Sequence, residues 1–297
     1  MKFALAVIGF AAVSQATEVV EGLKKGIPTA VFHGFGDECN FPGMWEFTWE
    51  LSQGTGAYAE CVEIGGDGIG EGSLTSIFSS FKWQAEQACE KVKANKHFQG
   101  EFNVVGLSQG GLLARSIVQQ CDTNETVRNF VTLGGPHRGV AASPNCFSGF
   151  YCDIINYTID TFVYFPTIQD FIAPAAYFRD PEQLDTYYKY SIFLPYLNNE
   201  KDFDQKSKDR LVAVNKAMFG WFSQDTVIDP PETAIFGELQ IDRSVKDVHD
   251  TDLYKNDLIG LAQLEAANKI TWKKIEGNHL QFTEDFVQHE LIPFLMQ

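Results

Sequence analysis

Gly106-Leu107-Ser108-Gln109-Gly110 is a G-x-S-x-G pentapeptide. A short apolar run, Phe102 to Val105, leads into it, and a helix-periodic run with Leu112, Leu113 and Ile117 leads out. Alone, the pentapeptide is weak evidence. Its setting is stronger, because a strand that turns sharply into a helix puts a serine hydroxyl at the top edge of a sheet. Such a turn strains the serine backbone and brings neighbouring chain close on both sides, so positions 106 and 110 have no room for side chains. Ser108 is the expected nucleophile.

A serine hydroxyl attacks poorly near neutral pH, so a base must take its proton and a third group must orient the base. The chain order that accompanies this turn is serine, acid, histidine. Only His249, His279 and His289 lie late enough. His289 falls inside the last helical pattern and reads as a surface residue, and His249 lies in a polar stretch between acids. His279, in Gly277-Asn278-His279 between the last strand and the last helix, is the expected base. The loop after the preceding strand offers Asp225 and Asp229. Asp225 comes first after the strand and is preferred, whereas Asp229 precedes Pro230, which favours an extended or turn role. The oxyanion of acyl transfer needs two preorganised donors. The backbone N–H of Gln109 is one candidate. The N–H of Phe35, in the loop His33-Gly34-Phe35-Gly36 after the first strand, is the other. His33 itself reads as a structural hydrogen-bonding residue.

The elements that must position these groups follow from hydrophobic periodicity. Strands are expected at 29–32, 57–64, 102–105, 129–133, 217–222 and 269–275. Helices are expected around 44–53, 73–98, 112–120, 204–215, 257–267 and 284–295. Strand and helix alternate, which implies a mostly parallel sheet with helices on both faces. Alternation fails from about 140 to 196, within a stretch bounded at about 140–205. Residues 147–196 hold 15 of the chain's 40 aromatics, and residues 139–178 contain Asp153, Asp160 and Asp170 but no base. This stretch reads as an insertion, either a lipid-binding element or a subdomain that packs its aromatics inside.

Composition sets the compartment and excludes other classes. The 297 residues carry 23 bases and 39 acids, a net charge of -16 that makes nucleic acid an unsuitable partner. Lys2, the apolar run Phe3 to Val13 and the small residues of Ser14-Gln15-Ala16 read as a secretory signal peptide over 1–16. The remainder, 17–297, reads as a single domain. No later segment offers the ~18 uninterrupted apolar residues of a membrane span. In an oxidising compartment the six cysteines can pair completely, with connectivity left open, and Asn124 and Asn156 stand in glycosylation sequons. The Gly-rich run 65–72 never satisfies G-x-G-x-x-G, and there is no P-loop, H-E-x-x-H or C-x-x-C. No cofactor and no metal are indicated.

Six segments, in order along the chain, resemble the palmitoyl-protein thioesterases of the lysosome. They are His33-Gly34-Phe35-Gly36-Asp37, Gly106 to Gly111, Gly134-Gly135-Pro136-His137-Arg138-Gly139-Val140, Ser191-Ile192-Phe193-Leu194, Asp225 to Pro230, and Glu276 to Gln281. The resemblance implies an α/β-hydrolase fold whose aromatic insertion forms a lid or second subdomain. It implies Ser108, Asp225 and His279 as the triad, and removal of long-chain fatty acyl groups from S-acylated cysteines of proteins or peptides. It implies a lysosomal or extracellular location. It further implies the disulfides Cys89–Cys121 and Cys146–Cys152. Cys39 and Cys61 remain as a third pair that it does not carry over, since the family often has adjacent cysteines near position 39. Gly134 to Gly139 is also similar to a segment common in lipases, so a lipid carboxylester hydrolase is the second reading. A non-catalytic carrier of fatty acyl groups is the third.

Overall fold

The computed structural model describes residues 26–66, 68–123, 125–141 and 162–297. Its strands are β1 (Thr29–Phe32), β2 (Ala59–Cys61), β3 (Glu101–Leu107), β4 (Thr126–Leu133), β5 (Lys216–Phe222), β6 (Glu238–Leu239), β7 (Val245–Lys246) and β8 (Ile270–Ile275). Six of them form one sheet in the order β2-β1-β3-β4-β5-β8, every pair parallel. β6 and β7 make a separate antiparallel pair that periodicity did not suggest, since two residues per strand are too short to show a pattern.

Alternation along the strands sorts side chains to two faces. Ala30, Phe32, Phe102, Val104, Phe130, Ala217 and Phe219 belong to one buried cluster, and Val31, Val105, Leu107, Val131, Leu133, Met218 and Phe222 to another. The second face is covered by α1 (Pro42–Thr55), which enters at Pro42 and stops at the left-handed Gly56, and by the C-terminal helical segment Glu284–Leu295. The first is covered by α2 (Glu71–Ile77), α3 (Phe81–Ala94) and α4 (Gly110–Gln120). Helices on both faces explain why the central strands read as continuous apolar runs.

The structure corrects several boundaries. The helix expected over 73–98 is two helices, broken after Ile77, plus a 3-10 turn at Lys96–Phe98. At the break, Ser79 Oγ donates to Thr75 O, and Gln84 Nε2 donates to Thr75 O and to Ser79 Oγ. Side chains thus take over a carbonyl that would have served the helix. The helix expected over 257–267 shrinks to Leu261–Ala266, because Gly260 at φ 90° interrupts it. The strand expected over 57–64 is only the three-residue sheet edge β2. The last helix widens to a π turn over Val287–Leu291, just before Pro293, which cannot donate the next helical hydrogen bond.

Between β4 and β5 the chain leaves the sheet, and the described part of this excursion is short helical pieces, including α5 (Leu184–Tyr190) and α6 (Leu194–Leu197). Its start is pinned where Val140 N donates to Tyr177 O and Arg179 N donates to Val140 O. Its aromatics divide. Tyr177, Tyr187 and Phe193 are buried, the first and last edge-on to Phe81, while Phe162, Phe165 and Phe171 stay exposed. The excursion also covers α4, whose Arg115 donates to Asn198 Oδ1 at 2.6 Å and whose Gln119 donates to Leu197 O at 2.9 Å. That cover lets polar residues on α4 be buried, so its amphipathic pattern understates its burial.

Among the described residues there are two disulfides, Cys39–Cys61 and Cys89–Cys121. Cys146, Cys152, Asn124, Asn156 and the leader 1–16 lie outside the described residues.

Candidate active site

The chain runs from β1 outward to β2 and then returns to the other side of β1 for β3, so the sheet's switch point lies between β1 and β3. Crevices beyond the carboxyl ends of strands at such a point are where open α/β sheets bind ligands. Every residue of the site follows the carboxyl end of a strand: the His33 loop after β1, Ser108 after β3, Gly134 after β4, Asp225 after β5 and His279 after β8.

Ser108 sits at φ 53°, a left-handed conformation uncommon for a non-glycine residue. The flanking glycines make this turn possible. A Cβ on Gly106 would lie 2.3 Å from Gly110 O, and one on Gly110 would lie 2.3 Å from Phe32 O and 2.4 Å from His33 O. Ser108 Oγ lies 2.8 Å from His279 Nε2, and His279 Nδ1 lies 2.7 Å from Asp225 Oδ2. The carboxylate can only accept, so Nδ1 carries the proton and Nε2 is left to accept from the hydroxyl. Asp225 Oδ1 accepts from Val227 N at 2.9 Å and Ile228 N at 2.8 Å, which fixes the carboxylate. Its side chain is 1% exposed and that of His279 11%.

Several residues to which the sequence assigned no role hold this chain in place. Asn278 Oδ1 accepts from Thr226 N at 2.9 Å and from His279 N at 2.7 Å, lashing the acid loop to the histidine loop. Gln224 N donates to Gly277 O across the same gap. Gly134, at φ 66°, passes under the ring, where a Cβ would lie 3.0 Å from His279 Cε1. The only sequence signal for these was Gly134-Gly135 after a strand and a polar residue beside His279. Of the other candidates, Asp229 is exposed and precedes Pro230 through a cis bond. His289 is exposed beside Asp285, and His249 pairs with Asp247 and Glu265. None of the three is brought to Ser108.

The β1 loop passes against the serine: a Cβ on Gly34 would lie 3.1 Å from Ser108 Cβ. Gly36 N donates to Ser76 Oγ, and Ser73 Oγ donates to Gly36 O, so α2 holds the loop. Gln109 is buried; its Nε2 donates to Ser76 O at 2.9 Å, and its Oε1 accepts from Tyr177 O–H at 2.8 Å. Gln109 thereby joins the serine turn to α2 and to the excursion. As the first residue before α4, it also has a backbone N–H without an intrahelical acceptor.

At the start of this loop His33 is buried, with Nδ1 3.0 Å from Gly34 O and Nε2 3.1 Å from Glu63 Oε1. Only an imidazolium satisfies two acceptors at once. Burial opposes that charge, but the Glu63 carboxylate outweighs it and raises the His33 pKa above 6.5. Burial likewise pushes Glu63 up, but hydrogen bonds and charge from His33 prevail and hold it at about 2. His33, Cys39 and Glu63 bring potential metal-ligand atoms within 4.8 Å of one another. The Cys39 sulfur is spent in its disulfide, so this group offers no thiolate to a metal.

A parallel sheet with helices on both faces and a serine on the strand-turn-helix junction beside its switch point defines an α/β-hydrolase. The sequence model of the palmitoyl protein thioesterases matches residues 28–279. Palmitoyl-protein thioesterase 1 of Caenorhabditis elegans is 30% identical over 274 residues, covering 90% of this chain and 91% of that protein. Palmitoyl-protein thioesterase 3 of Dictyostelium discoideum is 31% identical over 208 residues, covering 68% of this chain and 69% of that protein. A lysosomal thioesterase homologue of Drosophila melanogaster is 31% identical over 209 residues, covering 65% and 67% respectively. The chain belongs to the palmitoyl protein thioesterase family and is a hydrolase of thioesterase or lipase-like type. Among the described residues no helix is long and apolar enough to cross a membrane.

Proposed function

We propose that this protein hydrolyses the thioester joining a long-chain fatty acyl group to a cysteine of a protein or peptide. The observation that carries the reading is the hydrogen-bonded chain from Ser108 Oγ through His279 to Asp225, within a chain of this family. Ser108 Oγ bonds to the thioester carbonyl carbon as its proton passes to His279 Nε2. Asp225 holds the imidazole in the accepting tautomer and stabilises the imidazolium that forms. The carbonyl oxygen, now an anion, is received by the N–H groups of Gln109 and Phe35. Collapse breaks the C–S bond, and the cysteine sulfur leaves with the proton from His279. Water, deprotonated by His279, then splits the acyl-serine ester, releasing fatty acid and restoring the Ser108 hydroxyl.

In this reading the chain from 17 to 297 is one domain, and its excursion over about 140–205 covers the acyl chain. The leader routes the protein into the secretory pathway, with the lysosome as destination, in keeping with the Drosophila relative's name. Turnover of a palmitoyl thioester by purified protein, compared with a triglyceride and a carboxylester of the same acyl chain, tests the reaction. A preference for the carboxylesters would make it a lipase instead.

A further inference from the structure

On the α1 face of the sheet, a groove of about 810 Å³ runs between α1 and the C-terminal helical segment. It reaches Leu107 and Leu280, the chain neighbours of Ser108 and His279. Its floor is aromatic, with the rings of Phe47 and Phe282 5.4 Å apart. Its wall carries Trp45 and Trp49, one helical turn apart, ring centroids 6.4 Å from each other, and 61% and 54% exposed. Asp37, Glu46, Glu50 and Glu284 line it as well, and no Lys, Arg or His does among the described residues.

These features constrain the occupant. Two exposed indoles beside an active site leave apolar area that a ligand's burial would stabilise. A fatty acyl chain would desolvate the carboxylates without pairing them. A negatively charged lipid surface would be repelled by the same carboxylates and by a chain of net charge -16. A polypeptide with Lys or Arg among apolar residues suits the whole groove, because its cations meet carboxylates and indole faces together. We propose that this groove receives the peptide bearing the acylated cysteine, and that basic residues flanking that cysteine define the preferred substrate. The proposal rests on the thioesterase reading above and names its substrate class.

The test uses S-octanoyl peptides of equal length whose flanking positions are Lys, Gln or Glu, assayed with the full mature protein near pH 6, with S-octanoyl N-acetylcysteamine as a non-peptide probe. Expected is kcat/KM in the order Lys, Gln, Glu, with roughly tenfold or more between the extremes at low ionic strength, shrinking severalfold in about 1 M salt. The double variant E46Q/E50Q should cut the Lys-to-Glu ratio by about threefold or more, and W45A/W49A should raise KM for the Lys peptide above all. Equal rates for the three peptides, or an unchanged ratio in E46Q/E50Q, would overturn the proposal. So would a W45A/W49A variant that flattens the acyl-length dependence, which would give the groove to the acyl chain. Loss of phosphatidylcholine vesicle binding in W45A/W49A with the charge ratio intact would give it to a lipid surface. If the non-peptide probe is turned over while the peptides show no charge preference, only this inference fails; if nothing is turned over, the thioesterase reading fails first.

Discussion

Buried His33 and partly buried Glu63, on loops that leave adjacent parallel strands, pair at 3.1 Å beside Gly34, which lies against Ser108. Glu63 does more than balance the charge, since its Oε2 also accepts from Cys39 N at 2.8 Å and its Oε1 from Ile64 N at 3.0 Å.

This pair gives stability a defined pH window. Glu63 is lowered from 4.5 to about 2, so its contribution is present above about pH 4.5 and lost as pH falls through about 2. His33 is raised above 6.5, so its contribution is complete below about 6.5 and lost as pH rises through the raised value. The two overlap in mildly acidic solution. Thermal unfolding of Glu63→Gln should show a deficit of about 1–3 kcal/mol that peaks near pH 5–6 and narrows above pH 7 and below about pH 3. A deficit constant from pH 3 to 8 would show that the carboxylate contributes only as a hydrogen-bond acceptor.

Removing Ser108 or His279 as alanine should lower kcat on the order of 10⁴-fold or more with circular dichroism unchanged. Residual activity above about a tenth would refute the assignment. Asp225→Asn should cost far more rate than Asp229→Asn, because only Asp225 lies against His279 Nδ1.

Gly134→Ala tests whether the histidine ring needs the bare backbone beneath it. A methyl group there would lie 3.0 Å from Cε1, on a residue at φ 66°. The expected outcome is a fall in kcat of about 10- to 100-fold with KM little changed, as a displaced base predicts. An unaltered kcat would mean that the ring shifts without consequence.

The excursion's two sets of aromatics should separate in mutagenesis. Each methylene taken from water is worth ~0.8 kcal/mol, so kcat/KM should climb from C8 to C16 acyl chains. Phe165→Ser and Phe171→Ser, at exposed rings, should weaken C16 more than C8 substrates, whereas Tyr187→Ser, at a fully buried ring, should lower the melting temperature and affect all lengths alike. A flat wild-type profile below the micelle concentrations would return the whole excursion to a packing role.

What the sequence alone determined was local. Gly106 and Gly110 flank Ser108 because a strand-turn-helix junction leaves no room for a Cβ, a requirement met within five residues and so written in them. The alternation of strands and helices, and with it the parallel sheet, was legible for the same reason, since each apolar period reflects the face its own element buries. Where that period misled, as over 73–98, side-chain hydrogen bonds from Ser79 and Gln84 broke a helix whose apolar spacing continued unbroken. Long-range relationships needed the tertiary structure. Chain order pointed to His279 and Asp225, but the contacts that join them to a serine 171 positions away from the histidine, and the pairing of Glu63 with His33, depend on how parallel strands align their carboxyl ends. The burial of Arg115 and Gln119 on α4 likewise depends on partners some 80 residues later in the chain. A residue's type states what it can bond, but register and strand order decide what comes within reach.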